Sequence, residues 1–330
     1  MAPLVATYVL PLSWLHDGPL DDLSAYLAEL AMWVDEVMVV DGSPPARYDD
    51  HHRRWGATVT HLRPDPDLHA LNGKVDGVLT GMRRAGNEYL VVADDDVRYD
   101  RAGLETVIDA LARADLVRPQ NYFSPVPWHA RWDTARSLLN RTMGADFPGT
   151  LAVRRSALRR VGGYDGDVLF ENLELIRTVE AAGGNARTLL DCYVRRVPPT
   201  TGRFVSQRVR QAYDELARPL HLAVSLAMAP AAAVTVRRHG FRPLAAAAAA
   251  CVAVAEVGRR RAGGRRHFPA TCSLFAPVWL AERAVCVWAA VGLRLVRGGC
   301  PYRGVPIPRA ATPVRELRRR TGEVRIARVS

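Results

Sequence analysis

Residues Tyr89–Asp96 read YLVVADDD, a short apolar run followed by three aspartates. A short apolar run bounded by charged residues is typical of a strand that is buried on both faces of a sheet. Carboxylates at the carboxyl end of such a strand lie where α/β sheets place their ligands. We therefore predict a strand over Tyr89–Ala93 and a ligand site at Asp94, Asp95 and Asp96.

Strand and helix patterns alternate upstream of this stretch. Strands are predicted at Leu4–Leu10, Glu36–Val40 and Thr58–Leu62, and helices at Asp21–Val34 and Asn72–Arg84. Strands that alternate with helices predict an α/β fold with a mostly parallel sheet. A chain of 330 residues is long enough for one large α/β domain or for two smaller ones.

The pattern is less regular in the downstream part of the chain. The predicted elements there are helices at Leu104–Ala114, Trp132–Met143, Glu171–Ala182 and Arg203–Leu216, short strands at Leu116–Pro119 and Thr150–Val153, and a loop at Asn121–Trp128.

Charge is distributed unevenly along the chain. The net charge of +11 divides into −6 for residues 1–200, with 22 basic and 28 acidic residues, and +17 for residues 201–330, with 23 basic and 6 acidic residues. A basic segment of this size favours an anionic partner, either nucleic acid or an anionic membrane surface.

The last third of the chain changes character at Pro219. Pro219–Val236 contains eighteen residues without a formal charge, and three arginines follow within the next six residues. A spanning helix needs about 20 apolar residues, and arginines after successive runs conflict with two successive spans. We predict interfacial or re-entrant helices and a division into residues 1–218 and 219–330. The alternative is a soluble helical subdomain with a solvated basic face.

The five cysteines lie far apart, with neither a zinc-type spacing nor a disulfide framework. A reducing compartment is the simplest interpretation. The N-terminal residues MAPLVATYVLPL lack the basic region and the cleavage site of a secretory signal, so we expect them to form the first strand.

Asp94 and Asp96 have the spacing of two carboxylates that share a divalent cation. Adjacent like charges repel one another, so the acidic run is costly unless a cation or hydrogen-bond donors neutralise it. Mg²⁺ and Mn²⁺ take oxygen ligands, typically one or two carboxylates together with substrate phosphates. Taken alone, the motif is more often an acidic surface turn.

Three further segments carry residues suited to chemistry. Asp41 ends a strand pattern, where its carboxylate would accept hydrogen bonds from a base or a ribose. Glu171 and Glu174 lie three residues apart at a helix start, and a carboxylate there would act as a general base. Arg208 or Arg210 would reach a diphosphate. Each segment has a structural alternative: a turn-forming aspartate, ordinary acids at a helix N-terminus, and a solvated basic helix.

The order of these motifs resembles that of the family 2 glycosyltransferases. VLPLSW at 9–14 resembles the family's first strand with its proline and aromatic positions, and VMVVDGSPP at 37–45 resembles its nucleotide-binding turn with one aspartate missing. NGKVDGVLTGMRRAGNEYLVVADDD at 72–96 resembles the stretch that leads to the family's Asp-x-Asp metal motif.

The resemblance continues through the middle of the chain. FPGTLAVRRSALRRVGGYD at 147–165 resembles the segment that shapes the acceptor side, and FENLEL at 170–175 resembles the segment that carries the base. SQRVRQ at 206–211 resembles the Gln-x-x-Arg-Trp motif of membrane-bound members. The resemblance covers residues 3–216, and the tail is similar in character to the ends of lipid-glycosylating members such as ceramide glucosyltransferases.

The resemblance implies a GT-A, Rossmann-like domain followed by a basic, apolar, helical region that associates with a membrane. It implies an inverting, metal-dependent transfer of one sugar from a nucleotide-diphosphate sugar, with a UDP-sugar favoured, to a hydroxyl of a lipid or membrane-located acceptor. The metal, Mg²⁺ or Mn²⁺, is expected at Asp94 and Asp96, and the base at Glu171, Asp165 or Glu174. The expected donor-binding residues are Pro11, Trp14, Asp41, Lys74, Asp94, Asp95, Gln207, Arg208 and Arg210.

Two positions depart from the family pattern. Asn172 stands where the base is usually an aspartate, and an amide cannot accept the proton, so a neighbouring carboxylate must act or activity is impaired. Gln211 replaces a tryptophan that forms an aromatic platform in processive members, which favours the transfer of a single sugar.

Three other functions are weighed against this one. The first is a non-catalytic GT-A-like protein that binds a nucleotide sugar or acts as a scaffold, for which Asn172 is the supporting feature. Sugar nucleotidyl transfer lacks a glycine-rich, arginine-containing signature near the N-terminus. Nucleic-acid binding lacks a helix-turn-helix, zinc or RNA-binding signature, so no nucleic-acid partner is expected. We expect the protein at the cytoplasmic face of the cell membrane, peripheral or with few membrane segments.

Overall fold

The structure is a computed structural model that describes residues 2–15, 18, 20–144, 146 and 148–327, with the side chains of these residues as far as Gly322. Phe147, the first residue of the segment expected to shape the acceptor side, lies outside the described residues.

The elements follow one another in an α/β alternation over the first two thirds of the chain. The strands are β1 Leu4–Leu12, β2 Val34–Asp41, β3 Thr60–Leu62, β4 Tyr89–Ala93, β5 Val97–Arg98, β6 Leu116–Phe123, β7 Thr150–Arg154, β8 Ala186–Arg196, β9 Cys300–Tyr302 and β10 Val305–Ile307. The helices are α1 Leu20–Trp33, α2 Pro45–Trp55, α3 Gly73–Arg84, α4 Arg101–Leu111, α5 Trp128–Met143, α6 Arg155–Val161, α7 Glu171–Ala181, α8 Thr201–Ser206, α9 Arg208–Ala212, α10 Pro219–His239, α11 Arg242–Arg260, α12 Thr271–Leu274, α13 Ala276–Val296 and α14 Val314–Ala327. Two 3-10 helices cover Tyr213–Ala217 and Arg261–Arg266.

The main sheet has eight strands in the order β3-β2-β1-β4-β7-β6-β8-β5, which confirms the predicted α/β class. β3, β2, β1 and β4 pair in parallel, whereas β7 runs antiparallel to β4 and to β6. The sheet is therefore mixed, and the expected mostly parallel arrangement holds for its first four strands.

The centre of the sheet is buried because its strands carry apolar residues on both faces. β1 is buried from Ala6 to Leu12, and β4 is buried from Leu90 to Ala93. α3 packs closely on β1, because a Cβ at Gly77 would lie 2.8 Å from Pro11 Cβ and a Cβ at Gly81 would lie 2.5 Å from Val9 Cγ1. The two glycines therefore set the distance between this helix and the sheet.

Side-chain caps lie at the starts of α3, which precedes β4 in the sequence, and of α4, which follows it. The Asn72 side chain accepts a hydrogen bond from Lys74 N at the start of α3, and the Asp100 side chain accepts one from Gly103 N at the start of α4. Such caps satisfy backbone donors that a helix leaves unpaired at its N-terminus. α3 therefore begins at a fixed residue, and Lys74 lies in its first turn.

The structure differs from the sequence predictions in several elements, including α2, which was not predicted. β6 continues through part of the predicted loop, and β8 was not predicted. The helix predicted over Arg203–Leu216 is divided into α8, α9 and a 3-10 helix. Arg283 donates a hydrogen bond to the Gln211 carbonyl at 2.9 Å, so a tertiary contact takes an acceptor that a continuous helix would use itself.

The chain folds into two compact units, and neither is a single continuous segment. The first comprises residues 1–119, 148–194 and 312–330, and the second comprises residues 120–147 and 195–311. The division predicted from the sequence after residue 218 is sequential, whereas this one returns the C-terminal residues to the first unit.

The second unit is largely helical and carries long apolar helices. Two helical segments in the described part of the chain are long and apolar enough to cross a membrane by length and composition, Pro219–His239 and Thr271–Val296. Within their apolar windows, 6% and 33% of the residues are buried. The core helix of a soluble protein passes the same test when it is mostly buried, and α10 is almost entirely exposed.

Candidate functional site

The carboxyl ends of three neighbouring parallel strands bring the first predicted residues to one edge of the sheet. Leu12 at the end of β1 pairs with Asp41 at the end of β2, and β1 also pairs with β4, which ends at Ala93. Trp14 and Asp94 therefore follow strands that end at this common edge. The sequence prediction that these residues share one edge agrees with the pairing.

Lys74 contacts the acidic motif and the proposed base together. Its ammonium donates a hydrogen bond to Asp94 Oδ1 and another, at 2.6 Å, to Glu171 Oε1. Asn72 Nδ2 donates to Glu171 Oε2 at 3.1 Å and to Val168 O at 3.2 Å. The first turns of α3 and α7 and the end of β4 thus meet around one ammonium group.

The electrostatics of this cluster favour the charged form of Lys74. Burial alone would lower the pKa of the Lys74 ammonium, but the carboxylates of Asp94 and Glu171 raise it well above its usual range. Burial raises the pKa of Tyr164, which lies beside the cluster, despite the opposing effect of Lys74. The site therefore holds a permanent cation, the only lysine of the chain.

Trp14 connects the ends of β1, β2 and β4. Its indole Nε1 donates to Asp95 Oδ2 at 2.5 Å, and its backbone N donates to Ser43 Oγ at 2.9 Å. The ring is largely buried. Because its donor is already bonded to Asp95, Trp14 offers a ring face and edge to a ligand rather than a free N–H.

The residues of the acidic motif suit a hard divalent cation. Asp94, Asp95 and Asp96 are half-buried in the turn that follows β4, and Asp94 N donates to Gly149 O. Carboxylate oxygens are the ligands that Mg²⁺ and Mn²⁺ prefer. The donor chemistry of Asp94 and Asp96 therefore fits the expected ion, and Lys74 already brings one positive charge to Asp94.

Asp41 lies in a buried cluster with two histidines. His51 Nδ1–H donates to Asp41 Oδ2 at 2.6 Å, His61 Nε2–H donates to the same oxygen at 3.2 Å, and Ser43 N donates to Oδ1 at 2.8 Å. Burial alone would raise the pKa of Asp41, but these hydrogen bonds hold it well below its usual range. The carboxylate is 0% exposed, so its contact with a nucleoside stays a prediction that requires the turn to open.

The other two candidate bases contact the C-terminal part of the first unit. Asp165 Oδ2 accepts a hydrogen bond from Arg320 of α14 at 2.9 Å. Glu174 is fully buried, and its Oε2 accepts a hydrogen bond from Thr312 N at 2.6 Å. Among the three carboxylates, Glu171 is the one that contacts Lys74 within the described residues.

Asn172 has a structural partner that an aspartate would not have. Its Nδ2 donates a hydrogen bond to the carbonyl oxygen of Pro148 at 3.0 Å. A carboxylate at this position would face that carbonyl without a hydrogen to donate. The Asn172 amide is therefore suited to its surroundings, and its hydrogen bond to Pro148 involves none of the groups that contact Glu171.

Three of the remaining predicted donor-binding residues, Gln207, Arg208 and Arg210, belong to the second unit. Arg208 is buried, with Nη1 at 3.2 Å from Asp133 Oδ1 and 3.5 Å from Glu282 Oε2. The Arg210 guanidinium lies 4.8 Å from the centre of the Tyr302 ring, and Gln207 joins α8 to α9. Their role toward a diphosphate stays a prediction, and Arg208 is already paired with two acids. Pro11, in the first unit, lies within β1 beneath α3.

Three residues of these clusters were missed by the sequence interpretation. Asn72 was treated as the start of a helix, and its second contact, with Glu171, joins residues 99 positions apart. His51 and His61 fall in segments with no metal-type spacing, and only the strand order brings them to Asp41. The adjacent pair His51 and His52 was the available signal.

Comparison with known proteins gives structural similarity and no sequence match. No protein-family model and no curated protein matches the sequence. The chain is similar to a mannosyltransferase from Pyrobaculum calidifontis solved with GDP-mannose and Mn²⁺, at 18% identity and a TM-score of 0.48, over 99% of this chain and 87% of that one.

Two further similar structures are sugar-phosphoglycerate synthases. Glucosyl-3-phosphoglycerate synthase from Mycobacterium tuberculosis, solved with Mn²⁺ and UDP-glucose, is 16% identical with a TM-score of 0.42, over 63% of this chain and 77% of that one. Mannosyl-3-phosphoglycerate synthase from Rubrobacter xylanophilus is 14% identical with a TM-score of 0.41, over 63% and 75%. Similarities at this level do not assign a substrate or a reaction to this chain.

Proposed function

We propose that this chain is a metal-dependent, inverting glycosyltransferase of the GT-A type. It moves a single sugar from a nucleotide-diphosphate sugar, with a UDP-sugar favoured, to a hydroxyl of a lipid or membrane-located acceptor. The observation that carries the proposal is the contact of Lys74 with both Asp94 and Glu171 at the carboxyl edge of the sheet. This contact joins the expected metal motif to the expected base.

Glu171 is the proposed general base. Its two oxygens accept hydrogen bonds from Lys74 and Asn72, which fix the carboxylate at the first turn of α7. Asp165 and Glu174 instead face Arg320 and Thr312. A base must lie within hydrogen-bond reach of the proton that it removes, so a carboxylate fixed beside the acidic motif is favoured.

Asp94 and Asp96 would hold the divalent ion, which neutralises negative charge on the leaving diphosphate. Lys74 is positioned to contribute a second positive charge to the same region, because it already pairs with Asp94. Trp14 and the turn after Asp41 would contact the nucleoside. Gln207, Arg208 and Arg210 are proposed as further donor contacts.

The reaction proceeds as a direct displacement at the anomeric carbon. Glu171 takes the proton of the acceptor hydroxyl, and the oxygen forms a bond to the anomeric carbon. The bond from that carbon to the diphosphate oxygen breaks, and the nucleoside diphosphate leaves with the electron pair. A single displacement from the opposite face inverts the configuration of the sugar.

The first test is a donor screen. Purified protein in detergent is incubated with Mg²⁺ or Mn²⁺ and a panel of UDP-, GDP- and TDP-sugars, and nucleotide release and thermal shift are measured. A metal-dependent response to one donor is expected in the wild type, and Asp96→Ala should abolish turnover. Full activity in Asp96→Ala would refute the metal assignment.

The acceptor side of the proposal is supported by the exposed apolar helices of the second unit. α10 has Leu220 and Val224 exposed and ends in Arg237 and Arg238. A helix that combines exposed apolar side chains with arginines fits an anionic membrane surface, where each basic residue adds about 1 kcal/mol. We further propose the cytoplasmic face of the cell membrane as the location of the protein.

Flotation with anionic vesicles tests the membrane contact. Binding at low salt that weakens at high salt is expected for the wild type, and Leu220→Asp with Val224→Asp should reduce it strongly. Met32→Asp is the matched control, because Met32 is an exposed apolar residue on α1 in the first unit. No vesicle binding at low salt would refute this part of the proposal.

A non-catalytic protein that binds a nucleotide sugar is the second candidate. It is favoured by Asn172, which replaces the usual acid. A metal-dependent thermal shift without nucleotide release for any donor and acceptor would support this candidate. Turnover that is lost in Glu171→Gln would exclude it.

A further inference from the structure

A second group of potential metal ligands lies on β2, α2 and β3 and contains none of the residues of the acidic motif. Asp41 at the end of β2, His51 on α2 and His61 on β3 each present one ligand atom, and all three atoms lie within 4.8 Å of one another. The side chains of Asp41 and His61 are fully buried, and that of His51 is 3% exposed. Three different elements thus meet at one oxygen and two ring nitrogens.

An aromatic shell holds the two imidazoles in place. Trp55 stacks on His51 with ring centres 4.6 Å apart, and Trp14 approaches His51 edge-on at 5.5 Å. Tyr48 stacks on His61 at 4.5 Å. Apolar surroundings of this kind limit the access of water and fix ring orientation, as they do around protein metal centres.

Outer hydrogen bonds orient two of the three ligands. Ser43 N donates to Asp41 Oδ1 at 2.8 Å, which leaves Oδ2 directed at the histidines. The second ring nitrogen of His61, Nδ1, lies 3.1 Å from His52 Nδ1, so His61 has a partner on its outer side. Metal-ligating histidines generally use their other nitrogen in this way.

The distances between ligand atoms are close to those of a coordinated ion. Asp41 Oδ2 lies 2.6 Å from His51 Nδ1 and 3.2 Å from His61 Nε2. Ligands at about 2.0–2.1 Å from a tetrahedral Zn²⁺ lie about 3.3 Å apart. The His61 distance already matches, and the His51 distance requires an outward shift of less than about 1 Å. Metal binding would replace both hydrogen bonds to the carboxylate by three metal–ligand bonds, with each ring then protonated on its other nitrogen.

The ligand types select the ion. Imidazole nitrogens suit Zn²⁺, Co²⁺, Ni²⁺ and related ions, whereas Mg²⁺ prefers oxygen ligands alone. Asp41 supplies one carboxylate to a pocket whose other two ligands are imidazole rings. The His–Asp–His set is therefore chemically distinct from the carboxylate motif at Asp94 and Asp96.

From this geometry we propose that Asp41, His51 and His61 bind one transition-metal ion of the Zn²⁺ class. The ion joins β2, α2 and β3 through one residue of each, and a water or another small ligand completes its coordination. The bound ion fixes the conformation of the turn that follows Asp41. The proposal does not rest on the proposed function, because the cluster contains none of the residues that carry the transfer chemistry at Asp94, Asp96 and Glu171.

Co²⁺ titration of the metal-stripped full-length protein tests the site. One equivalent of Co²⁺ should give the visible absorption of a low-coordinate Co²⁺ centre, and one equivalent of Zn²⁺ should remove it. Zn²⁺ at about 100 times its dissociation constant should raise Tm by roughly 5 °C or more. The absence of Co²⁺ absorption and of a Zn²⁺ shift in the wild type would overturn the proposal.

Variants locate the ion. His51→Asn and His61→Asn should lose the Co²⁺ absorption, whereas His239→Asn, a histidine at the end of α10, should retain it. Asp94→Asn should also retain it, which separates this site from the acidic motif. Unchanged Co²⁺ binding in both His51→Asn and His61→Asn would overturn the assignment.

X-ray absorption of the Zn²⁺-loaded wild type gives a readout that does not depend on the folding of a variant. Two imidazole nitrogens and at least one oxygen are expected around zinc. A sulfur ligand, or a shell with oxygen alone, would place the ion elsewhere and refute the proposal.

Discussion

Lys74 is central to the proposed site because one ammonium contacts two acids with different expected roles. It bonds to Asp94 of the acidic motif and to Glu171 at the start of α7. Two carboxylates that both contact one ammonium group need that cation between them, since like charges repel strongly in a half-buried site. The same cation fixes the position of the proposed base relative to the proposed metal ligand.

Replacing Glu171 by glutamine tests the proposed base. Glu171→Gln keeps the shape of the side chain but cannot accept a proton, so kcat should fall by about 10²-fold or more. The measurement is the initial rate with the donor found in the screen, and the thermal shift with the donor should persist in the variant. Asp165→Asn is the matched control, since Asp165 faces Arg320. If Asp165→Asn loses the activity and Glu171→Gln retains it, the base assignment is wrong.

Glu174 predicts a pH dependence of stability. Burial raises the pKa of its carboxyl group, despite the hydrogen bonds from Thr312. The folded protein therefore binds this proton more tightly than the unfolded chain, and the contribution of Glu174 to stability declines as pH rises from its ordinary value, about 4.3, through the raised value. Glu174→Gln retains an acceptor for Thr312 N without a charge.

The Tm of Glu174→Gln minus that of the wild type should therefore increase from pH 4 to pH 8. Thermal unfolding at a series of pH values measures this difference. Glu180→Gln, an exposed position on the same helix, should show a much flatter difference. A constant difference for Glu174→Gln across this range would contradict the prediction.

At the scale of single elements, α3 sets the position of the site. Its N-terminus is capped by Asn72, and its body lies on β1 through Gly77 and Gly81. The cap at one end of the helix and the close packing along its length therefore together fix the position of Lys74 at the sheet edge. Elements held in this way give functional groups more precise positions than loops do.

Gly81→Ala should destabilise the protein. The added Cβ would lie 2.5 Å from Val9 Cγ1, so the helix or the strand must move. The expected loss is about 1–3 kcal/mol, despite the higher helix propensity of alanine. Urea unfolding measures the change. Gly73→Ala, where a Cβ would meet nothing within 4 Å, is the matched control in the same helix and should be neutral or stabilising.

At the scale of the whole chain, the C-terminal residues belong to the first unit although they follow the apolar helices. Thr312 donates through its N to Glu174 and accepts through its carbonyl oxygen from Arg177. Arg320 on α14 pairs with Asp165. These contacts hold the C-terminal residues on the first unit, and each joins residues more than 130 positions apart in the sequence.

Removal of residues 312–330 should destabilise the first unit. Glu174 would lose the donor that Thr312 supplies inside the core, at a cost of about 1–3 kcal/mol or more for a buried charged group. Thermal unfolding and limited proteolysis measure the effect. A chain that ends at Ala327 is the control and should behave as the full chain. Equal stability of the two truncated chains would contradict the prediction.

Local sequence patterns predicted most of the first unit correctly. β4 has the predicted bounds, and α1, α3 and α7 begin or end within one or two residues of their predicted limits. These elements have strong periodicity, and α3 also has a side-chain cap at Asn72. β8 was missed because Leu189 and Leu190 are adjacent and interrupt the alternation that indicates a strand. The helix predicted over Arg203–Leu216 breaks at Gln207 and becomes a 3-10 helix at Tyr213, which no local pattern indicates.

Periodicity and turn chemistry are local, so the amino-acid pattern was enough to predict the alternation of strands and helices and the placement of Trp14, Asp41 and the acidic motif after strands. The contact of Lys74 with Glu171, 97 residues away, and the positions of His51 and His61 around Asp41 follow only from the folded chain. Such contacts depend on strand order and helix packing, which sum weak interactions over the whole chain. For this reason a short motif can identify candidate functional residues, but it cannot predict which distant residues will contact them.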